Sequence, residues 1–227
     1  RKRFKMTKSL SGPVKNSITG KTNKVVIFFH GYGADGNDLI SLSDSFINTL
    51  PDAVYYSPNA PEKCEMGGLG YQWFPIKQNN DGSLDLNAEK EITNSIGLIN
   101  DYIDEIEKVS GVNTEDFILV GFSQGTMMIL ETLLSREKKF SALIGFSGGL
   151  INISQNIPKE NLCTPILLIH GDNDQVVPME MTNIAFKNLK SLGFTVQKYF
   201  SKGLGHGISL DGLLEANKFL KKMIKSA

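Results

Sequence analysis

The chain has 227 residues, and its 24 Lys and Arg residues balance 24 Asp and Glu residues, so that the formal net charge is zero. Hydrophobic residues make up 41% and charged residues 21%, which is the composition of a globular rather than a disordered chain. Without net charge there is no bulk field to attract nucleic acid or an anionic membrane surface. The apolar runs are far shorter than the roughly 18 residues that a membrane span needs. These features argue against nucleic-acid binding and against stable membrane insertion.

Two cysteines, Cys64 and Cys163, are too few for the disulfide framework of a small secreted protein. We therefore expect a reducing compartment and a cytoplasmic location. Residues 1–16 begin with the basic segment RKRFK, and the apolar core of a secretory signal does not follow before Gly12 and Pro13. This segment is expected to be a flexible N-terminal tail.

Short apolar runs rich in β-branched residues alternate with longer segments of helical period along the chain. The runs predict strands at residues 25–29, 53–57, 117–121, 142–146, 166–169 and 195–200. The periodic segments predict helices over about residues 38–50, 88–109, 123–136, 179–192 and 213–225. Such alternation predicts a single α/β domain over residues 1–227, built on a mostly parallel, doubly wound sheet with helices on both faces.

Two loops interrupt the alternation of strands and helices. Residues 58–82 are rich in Gly, Pro and Asn, yet they also contain Tyr71, Trp73 and Phe74. The other loop, residues 147–163, begins with a pair of glycines shortly after a predicted strand. A long loop that carries this much aromatic surface is more often functional than merely connecting, so we expect the first loop to contribute to a site.

The segment FILVGFSQGT contains the pattern G-x-S-x-G around Ser123, directly after a predicted strand and before a predicted helix. This context is that of a nucleophile elbow, where a sharp turn exposes the serine hydroxyl at the edge of the sheet. The backbone N–H of Gln124 then points towards an oxyanion that develops next to the serine. Ser123 is therefore the predicted nucleophile.

A serine hydroxyl needs a base, and the chain offers three histidines, His30, His170 and His206. In α/β folds with this elbow the order along the chain is serine, acid, histidine, which selects His206. Asp174 follows a strand in HGDNDQVVP and is the preferred acid. Asp172 competes for this role, although its position nearer the strand end suits a turn-forming residue.

The turn after the first apolar run supports two different interpretations. The backbone N–H of Tyr32 could be the second oxyanion donor, beside that of Gln124. The same turn, GYGADG at residues 31–36, also matches the G-x-G-x-x-G fingerprint of a dinucleotide site. Asp52 has the spacing of the ribose-binding acid, but it precedes its strand and would lie at the wrong edge of the sheet.

Metal sites fit the sequence poorly. A calcium loop that starts at Asp172 would have Val177 where glycine is needed and Asn183 where glutamate is needed. The histidines are not four residues apart and the cysteines are isolated, so zinc ligation is not expected either.

Six segments in order, HGYGADGNDL, SPNAPE, YQWF, GFSQGTMM, HGDNDQVVP and GLGHGI, cover residues 30–208. They resemble the phospholipase/carboxylesterase family of α/β-hydrolases, which includes bacterial carboxylesterases and acyl-protein thioesterases. The resemblance implies an α/β-hydrolase fold, a triad of Ser123, His206 and Asp174, and an oxyanion hole at Tyr32 and Gln124. It also implies that the enzyme needs no metal and no organic cofactor.

The resemblance further implies that Leu69, Trp73 and Phe74 flank an acyl groove, although Trp73 could instead pack its loop onto the core. The stretch CEMGGLGYQWF is similar to that of bacterial members, which favours a serine carboxylesterase acting on small esters of short-to-medium acyl chains. A lysophospholipase or an acyl-protein thioesterase is the alternative. An NAD(P)-dependent oxidoreductase and a catalytically inactive binding module are more distant alternatives, and a homodimer is left open.

Overall fold

The computed structural model of the chain describes residues 9–64, 69–81, 84–152 and 157–226. The described strands are β1 (Val14–Lys15), β2 (Lys24–Phe29), β3 (Ala53–Tyr56), β4 (Glu62–Lys63), β5 (Tyr71–Gln72), β6 (Lys77–Gln78), β7 (Leu84–Asp85), β8 (Phe117–Phe122), β9 (Ala142–Phe146), β10 (Ile166–Gly171) and β11 (Val196–Ser201). The described α-helices are α1 (Gly36–Ile40), α2 (Ser43–Phe46), α3 (Glu89–Ser110), α4 (Gln124–Ser135), α5 (Glu180–Ser191) and α6 (Leu210–Ser226). Short 3₁₀ helices lie at Thr114–Asp116 and Lys159–Cys163.

The central sheet has the strand order β1-β3-β2-β8-β9-β10-β11. Its neighbouring strands pair in parallel, except for β1, which runs antiparallel to β3. The chain passes from β2 outwards to β3 and then returns to β8 on the other side of β2. The carboxyl ends of β2 and β8 therefore meet at a switch point, which is where α/β sheets place their sites. The predicted parallel sheet and its six main strands are confirmed.

Helices cover both faces of this sheet, as the near-continuous apolar strands predict. Along β2, Val25, Ile27 and Phe29 pack into a core with α3, α4 and α5, whereas Val26 and Phe28 pack into a second core with α1, α2 and α6. The isoleucine stripe of α3 lies in the first core. Among the helices of the described ranges, each falls short of the length or the apolar character that a membrane-crossing segment requires.

The N-terminal segment corrects the expected tail in part. Val14 and Lys15 form β1 and pair with Tyr56 and Tyr55 of β3, while the side chain of Leu10 is buried. Residues 9–16 are thus packed on the domain, and residues 1–8 lie outside the described part of the chain. A two-residue strand has no period of its own, so the sequence pattern gave no sign of it.

The predicted helix over residues 38–50 is in fact two short helices, α1 and α2. Asp35 caps α1 with its carboxylate on the N–H groups of Asn37 and Asp38, so that the first helix begins before the predicted start. The Ser43 hydroxyl donates to the carbonyl of Ile40 between the two helices. Serine side chains that bond nearby backbone compete with regular helix, which explains the break.

The carboxylate of Glu107 joins α3 to two neighbouring segments. It accepts hydrogen bonds from the Lys138 ammonium (2.7 Å) and from both the N–H and the hydroxyl of Thr114. The bond from Lys138, helped by those from Thr114, outweighs the opposing effect of burial and lowers the pKa of Glu107 to about 2.

Because the folded-state pKa of Glu107 lies below that of the unfolded chain, its stabilising effect is complete above the ordinary carboxyl pKa and is lost as the pH falls towards 2. We expect Glu107→Gln to lower the free energy of unfolding by about 1 kcal/mol at pH 7, and by less at pH 3.5. Urea unfolding at both pH values measures this. Glu115→Gln, which removes an exposed ion pair with Lys139, is the matched control. Equal losses at the two pH values would contradict the assignment.

Candidate active site

Ser123 lies on a sharp turn between β8 and α4. Its backbone has φ 55° and ψ −117°, in the left-handed half of the backbone map that residues with a side chain rarely adopt. Strain of this kind persists only where the surrounding structure enforces it. Here the Ser123 N–H donates to the carbonyl of Phe146 at 2.8 Å, which ties the turn to the end of β9.

The glycines of the G-x-S-x-G pattern are required by close contacts. A Cβ atom on Gly121 would lie 2.6 Å from the backbone nitrogen of Thr126, and one on Gly125 would collide with the carbonyl oxygen of Phe29. Larger residues would therefore force α4 away from the ends of β8 and β2. The sequence pattern and the local structure agree on a nucleophile elbow at Ser123.

Ser123, His206 and Asp174 form a continuous chain of hydrogen-bonding side chains. The Nε2 atom of His206 lies 3.0 Å from the hydroxyl oxygen of Ser123. On the other side of the ring, Nδ1 lies 2.7 Å from Oδ2 of Asp174. Ser123 as a residue is 8% exposed. The structure thus brings together the three residues that the sequence selects.

The carboxylate of Asp174 is buried and held in place by backbone. Its Oδ1 accepts the N–H groups of Val176 at 2.8 Å and Val177 at 2.9 Å. Burial alone would raise the pKa of Asp174, but the hydrogen bonds from His206 and from these backbone groups outweigh it and hold that pKa below its ordinary value. The carboxylate is therefore charged at neutral pH and can orient the imidazole of His206.

Asp172, the competing acid, is exposed and points elsewhere. Its Oδ1 accepts the N–H of Gly203 at 2.6 Å. The N–H of Asn173 donates to the carbonyl of Leu204 beside it. These bonds tie the loop after β10 to the loop that carries His206, so Asp172 has a structural role, although it bonds to a distant loop rather than to its own turn as expected.

The turn after β2 passes directly over the nucleophile. A Cβ atom on Gly31 would lie 3.3 Å from the Cβ of Ser123, so the next residue, Tyr32, follows in immediate proximity to the elbow. Gln124 is the first residue of α4, and an N–H in the first turn of a helix has no partner within the helix. Both segments thus lie next to Ser123, and the role of Tyr32 and Gln124 as oxyanion donors stays a prediction.

This turn does not match a dinucleotide site. The carboxylate of Asp52 lies just before β3 and bonds to the side chains of Thr19 and Asn23, at the opposite end of that strand from the elbow. The helix α1 that follows the turn has only five residues. The fingerprint at residues 31–36 therefore lacks the ribose-binding acid that the oxidoreductase interpretation needs.

The aromatic loop is hydrogen-bonded to the first residue of α4, next to the nucleophile. The Gln124 side chain accepts the N–H of Trp73 at 2.8 Å and donates to the carbonyl of Phe74 at 2.7 Å. The indole N–H of Trp73 donates to the carbonyl of His30. The side chains of Trp73 and Phe74 are 0% exposed, which fits the alternative that Trp73 packs its loop onto the core, and their place beside an acyl groove stays a prediction. Leu69, in contrast, is 97% exposed.

The two other histidines are buried and belong to the framework of the site. His30 donates from Nδ1 to the carbonyl of Gly31 and accepts the N–H of Ala60 at Nε2; burial lowers its pKa, so it is neutral. His170 lies with Nε2 3.2 Å from Oδ2 of Asp174. Sequence reasoning missed this contact, although the four-residue spacing of His170 and Asp174 at one strand end could have indicated it.

Comparisons with known proteins place the chain in a family. The family model described as Phospholipase/Carboxylesterase matches residues 14–224. The acyl-protein thioesterase 1 homolog 1 of Dictyostelium discoideum is 32% identical over 93% of this chain and 97% of its own. A rice protein named as a probable inactive carboxylesterase is 26% identical over 89% of this chain and 85% of its own length.

Solved structures agree with these sequence matches. The crystal structure of esterase PE8 superimposes with a TM-score of 0.87 at 35% identity, and the match covers 95% of this chain and 99% of the esterase. The fold is therefore that of the α/β-hydrolases, as the resemblance implied. The family model matches most of the chain, including the nucleophile elbow at Ser123. The chain therefore belongs to the phospholipase/carboxylesterase family of serine hydrolases.

Proposed function

We propose that the chain is a serine carboxylesterase that uses Ser123, His206 and Asp174 as its catalytic triad. The observation that carries this proposal is the unbroken chain of contacts from the Ser123 hydroxyl through His206 to the Asp174 carboxylate. One relative, from rice, is named as a probable inactive carboxylesterase, so the proposal rests on the geometry of this site rather than on family membership alone.

Acylation begins when His206 takes the hydroxyl proton of Ser123 through Nε2 as the serine oxygen attacks the ester carbonyl. Asp174 accepts the Nδ1–H of His206, fixes the tautomer that leaves Nε2 free to act as a base, and stabilises the imidazolium that forms. The imidazolium then gives its proton to the departing alcohol. This step leaves the acyl group on the serine oxygen.

The negative charge on the carbonyl oxygen is stabilised by backbone N–H groups. We infer that Tyr32 and Gln124 donate to this oxygen, because the turn after β2 and the start of α4 flank Ser123 on adjacent sides. The N-terminal end of α4 adds a favourable partial positive charge. Water, activated by the same His206, then releases the acid and restores the serine.

Esters of short-to-medium acyl chains fit the described residues best. Of the three side chains expected to flank an acyl groove, Trp73 and Phe74 are buried in the core and Leu69 is exposed. An acyl-protein thioesterase is the second candidate, because the Dictyostelium relative carries that name, and a lysophospholipase the third. The cytoplasmic location stays a prediction. The homodimer also stays a prediction, which sedimentation of the purified protein would test.

The first prediction concerns the nucleophile and the acyl length. We expect wild-type protein to hydrolyse p-nitrophenyl esters with a maximum at short-to-medium chains, and Ser123→Ala to reduce turnover by about 10⁶-fold, to background. A fluorophosphonate should label wild type and not the variant. A maximum at long chains would favour a lysophospholipase or a thioesterase, and unchanged turnover in Ser123→Ala would exclude the proposed mechanism.

The second prediction separates the two candidate acids. Asp174→Asn should lower kcat by about 10⁴-fold, because an amide holds the wrong histidine tautomer. Asp172→Asn is the matched control, since the Asp172 carboxylate bonds only to loop backbone in the described contacts, and it should retain most of the turnover. Both are measured with one short-chain ester. A loss confined to Asp172→Asn would reverse the assignment.

The third prediction tests the backbone donor at Tyr32. Tyr32→Pro removes the N–H and should reduce kcat by about 10²–10³-fold with a smaller change in KM, because the lost bond forms mainly in the transition state. Tyr32→Leu keeps the N–H and is the control. Thermal unfolding of both variants checks that the turn still folds. Equal turnover of the two variants would contradict a donor at this position.

A further inference from the structure

We propose that His170 is a positioning residue that shares the Asp174 carboxylate with His206 and thereby tunes the catalytic base. This inference rests on the proposed function and adds a fourth side chain to its relay. His170 lies at the end of β10, four residues before Asp174, and its side chain is completely enclosed. It has no direct part in the mechanism described above.

Each ring nitrogen of His170 has defined partners. Nε2 lies 2.8 Å from the carbonyl oxygen of Val177 and 3.2 Å from Oδ2 of Asp174. Nδ1 lies 2.8 Å from the hydroxyl oxygen of Thr182 on α5. The hydroxyl of Thr182 is in turn 2.8 Å from the carbonyl oxygen of Gly148.

These partners fix which nitrogen carries the proton. Both groups that face Nε2 are acceptors without a hydrogen of their own, so Nε2 must be the donor. The Thr182 hydroxyl has one hydrogen, which it gives either to the Gly148 carbonyl or to Nδ1. Giving it to Nδ1 leaves one carbonyl without this donor, whereas Nε2 without a hydrogen would face two oxygen acceptors, so the arrangement with the hydrogen on Nε2 costs less. His170 is therefore a neutral imidazole that carries its hydrogen on Nε2 and directs it between Val177 and Asp174.

With this N–H the Asp174 carboxylate faces four donor groups, three of which form regular hydrogen bonds, while Nε2 of His170 lies 3.2 Å away. Two backbone N–H groups bind Oδ1, while the rings of His206 and His170 approach Oδ2. A carboxylate that also serves His170 has less negative charge to offer His206. Removing the His170 N–H should therefore leave more of the Asp174 charge to stabilise the imidazolium of His206.

The surroundings of His170 support a neutral ring. Burial lowers its pKa, against the opposing effect of the Val177 carbonyl and Asp174, and the charge of nearby His206 lowers it further. The residue opposite His170 on β11 is Phe200, and α5 presents Thr182 to the ring. Asp174 and His206 are thus the titratable groups that act on it in the described part of the chain.

The test compares His170→Met, which removes the donor, with His170→Gln, which keeps an N–H at similar reach. For wild type and both variants, kcat/KM is measured against pH with a short-chain ester. We expect the acid limb of the kcat/KM profile of His170→Met to move to higher pH by about 0.5 unit or more. At a pH on that limb, kcat/KM should then be about threefold lower than in wild type. The pH profile of His170→Gln should coincide with that of wild type.

Loss of stability alone does not produce this pattern. Ile103→Ala, a truncation in the core on α3, is the destabilised control, and its turnover should keep the wild-type pH profile. An unshifted limb, or a shift to lower pH, in His170→Met would overturn the proposal.

A second measurement does not depend on turnover. The chain has 3 histidines, so labelling with ¹⁵N-histidine resolves each ring by NMR. We expect neutral His170 protonated at Nε2, and a higher titration midpoint for the His206 ring in His170→Met. A His170 ring protonated only at Nδ1 would overturn the proposal. If wild type hydrolyses no ester, the proposed function fails while these spectra still decide the role of His170.

Discussion

The close approach of backbone at the elbow governs the geometry of the whole site. The helix α4 begins so near the end of β2 that a single carbon on Gly125 would collide with the carbonyl of Phe29. This contact forces the chain to reverse within one residue, and Ser123 takes the strained conformation that results. The strain is tolerated because neighbouring segments hold the turn, through the bond of the Ser123 N–H to Phe146 and through the packing of α4 on the sheet.

The same constraint explains small residues on the adjacent strand. The Thr126 hydroxyl donates to the carbonyl of Phe146, the carbonyl that also accepts the Ser123 N–H. A Cβ on Gly145 of β9 would lie 2.5 Å from the Cγ2 of Thr126, and one on Gly148, just after β9, would lie 2.6 Å from its Cβ, so neither position has room for a side chain. Thr126 thus takes up the space that two glycines leave and locks the first turn of α4 to the sheet.

Much of this arrangement follows from the sequence, because its determinants are local. Apolar runs bounded by polar residues predict parallel strands, and glycines at fixed offsets around Ser123 predict the elbow. The order of serine, acid and histidine identifies Asp174 and His206 because each follows a strand at the same edge. These inferences need no knowledge of contacts between distant segments.

What could not be predicted depends on such contacts. An aromatic residue in a polar loop can line a groove or fill the core, and its burial is decided by partners far along the chain. Trp73 is buried because Gln124, 51 residues away, bonds to its backbone. The contact between His170 and Asp174 likewise depends on how the loop after β10 turns back, which composition does not specify. Strand β1 could not be predicted, because a strand of two residues shows no alternation of apolar and polar side chains.

The aromatic loop links these distant contacts to catalysis. Its Tyr71 carbonyl accepts the N–H of Gly33, and its own N–H donates to Ala34, so the loop pairs with the turn that presents Tyr32. Two residues further on, the loop bonds to the side chain of Gln124. One segment therefore holds both proposed oxyanion donors at once. A change in this loop would alter the spacing between the two donors without touching substrate, and would act on kcat more than on KM because the oxyanion forms only in the transition state.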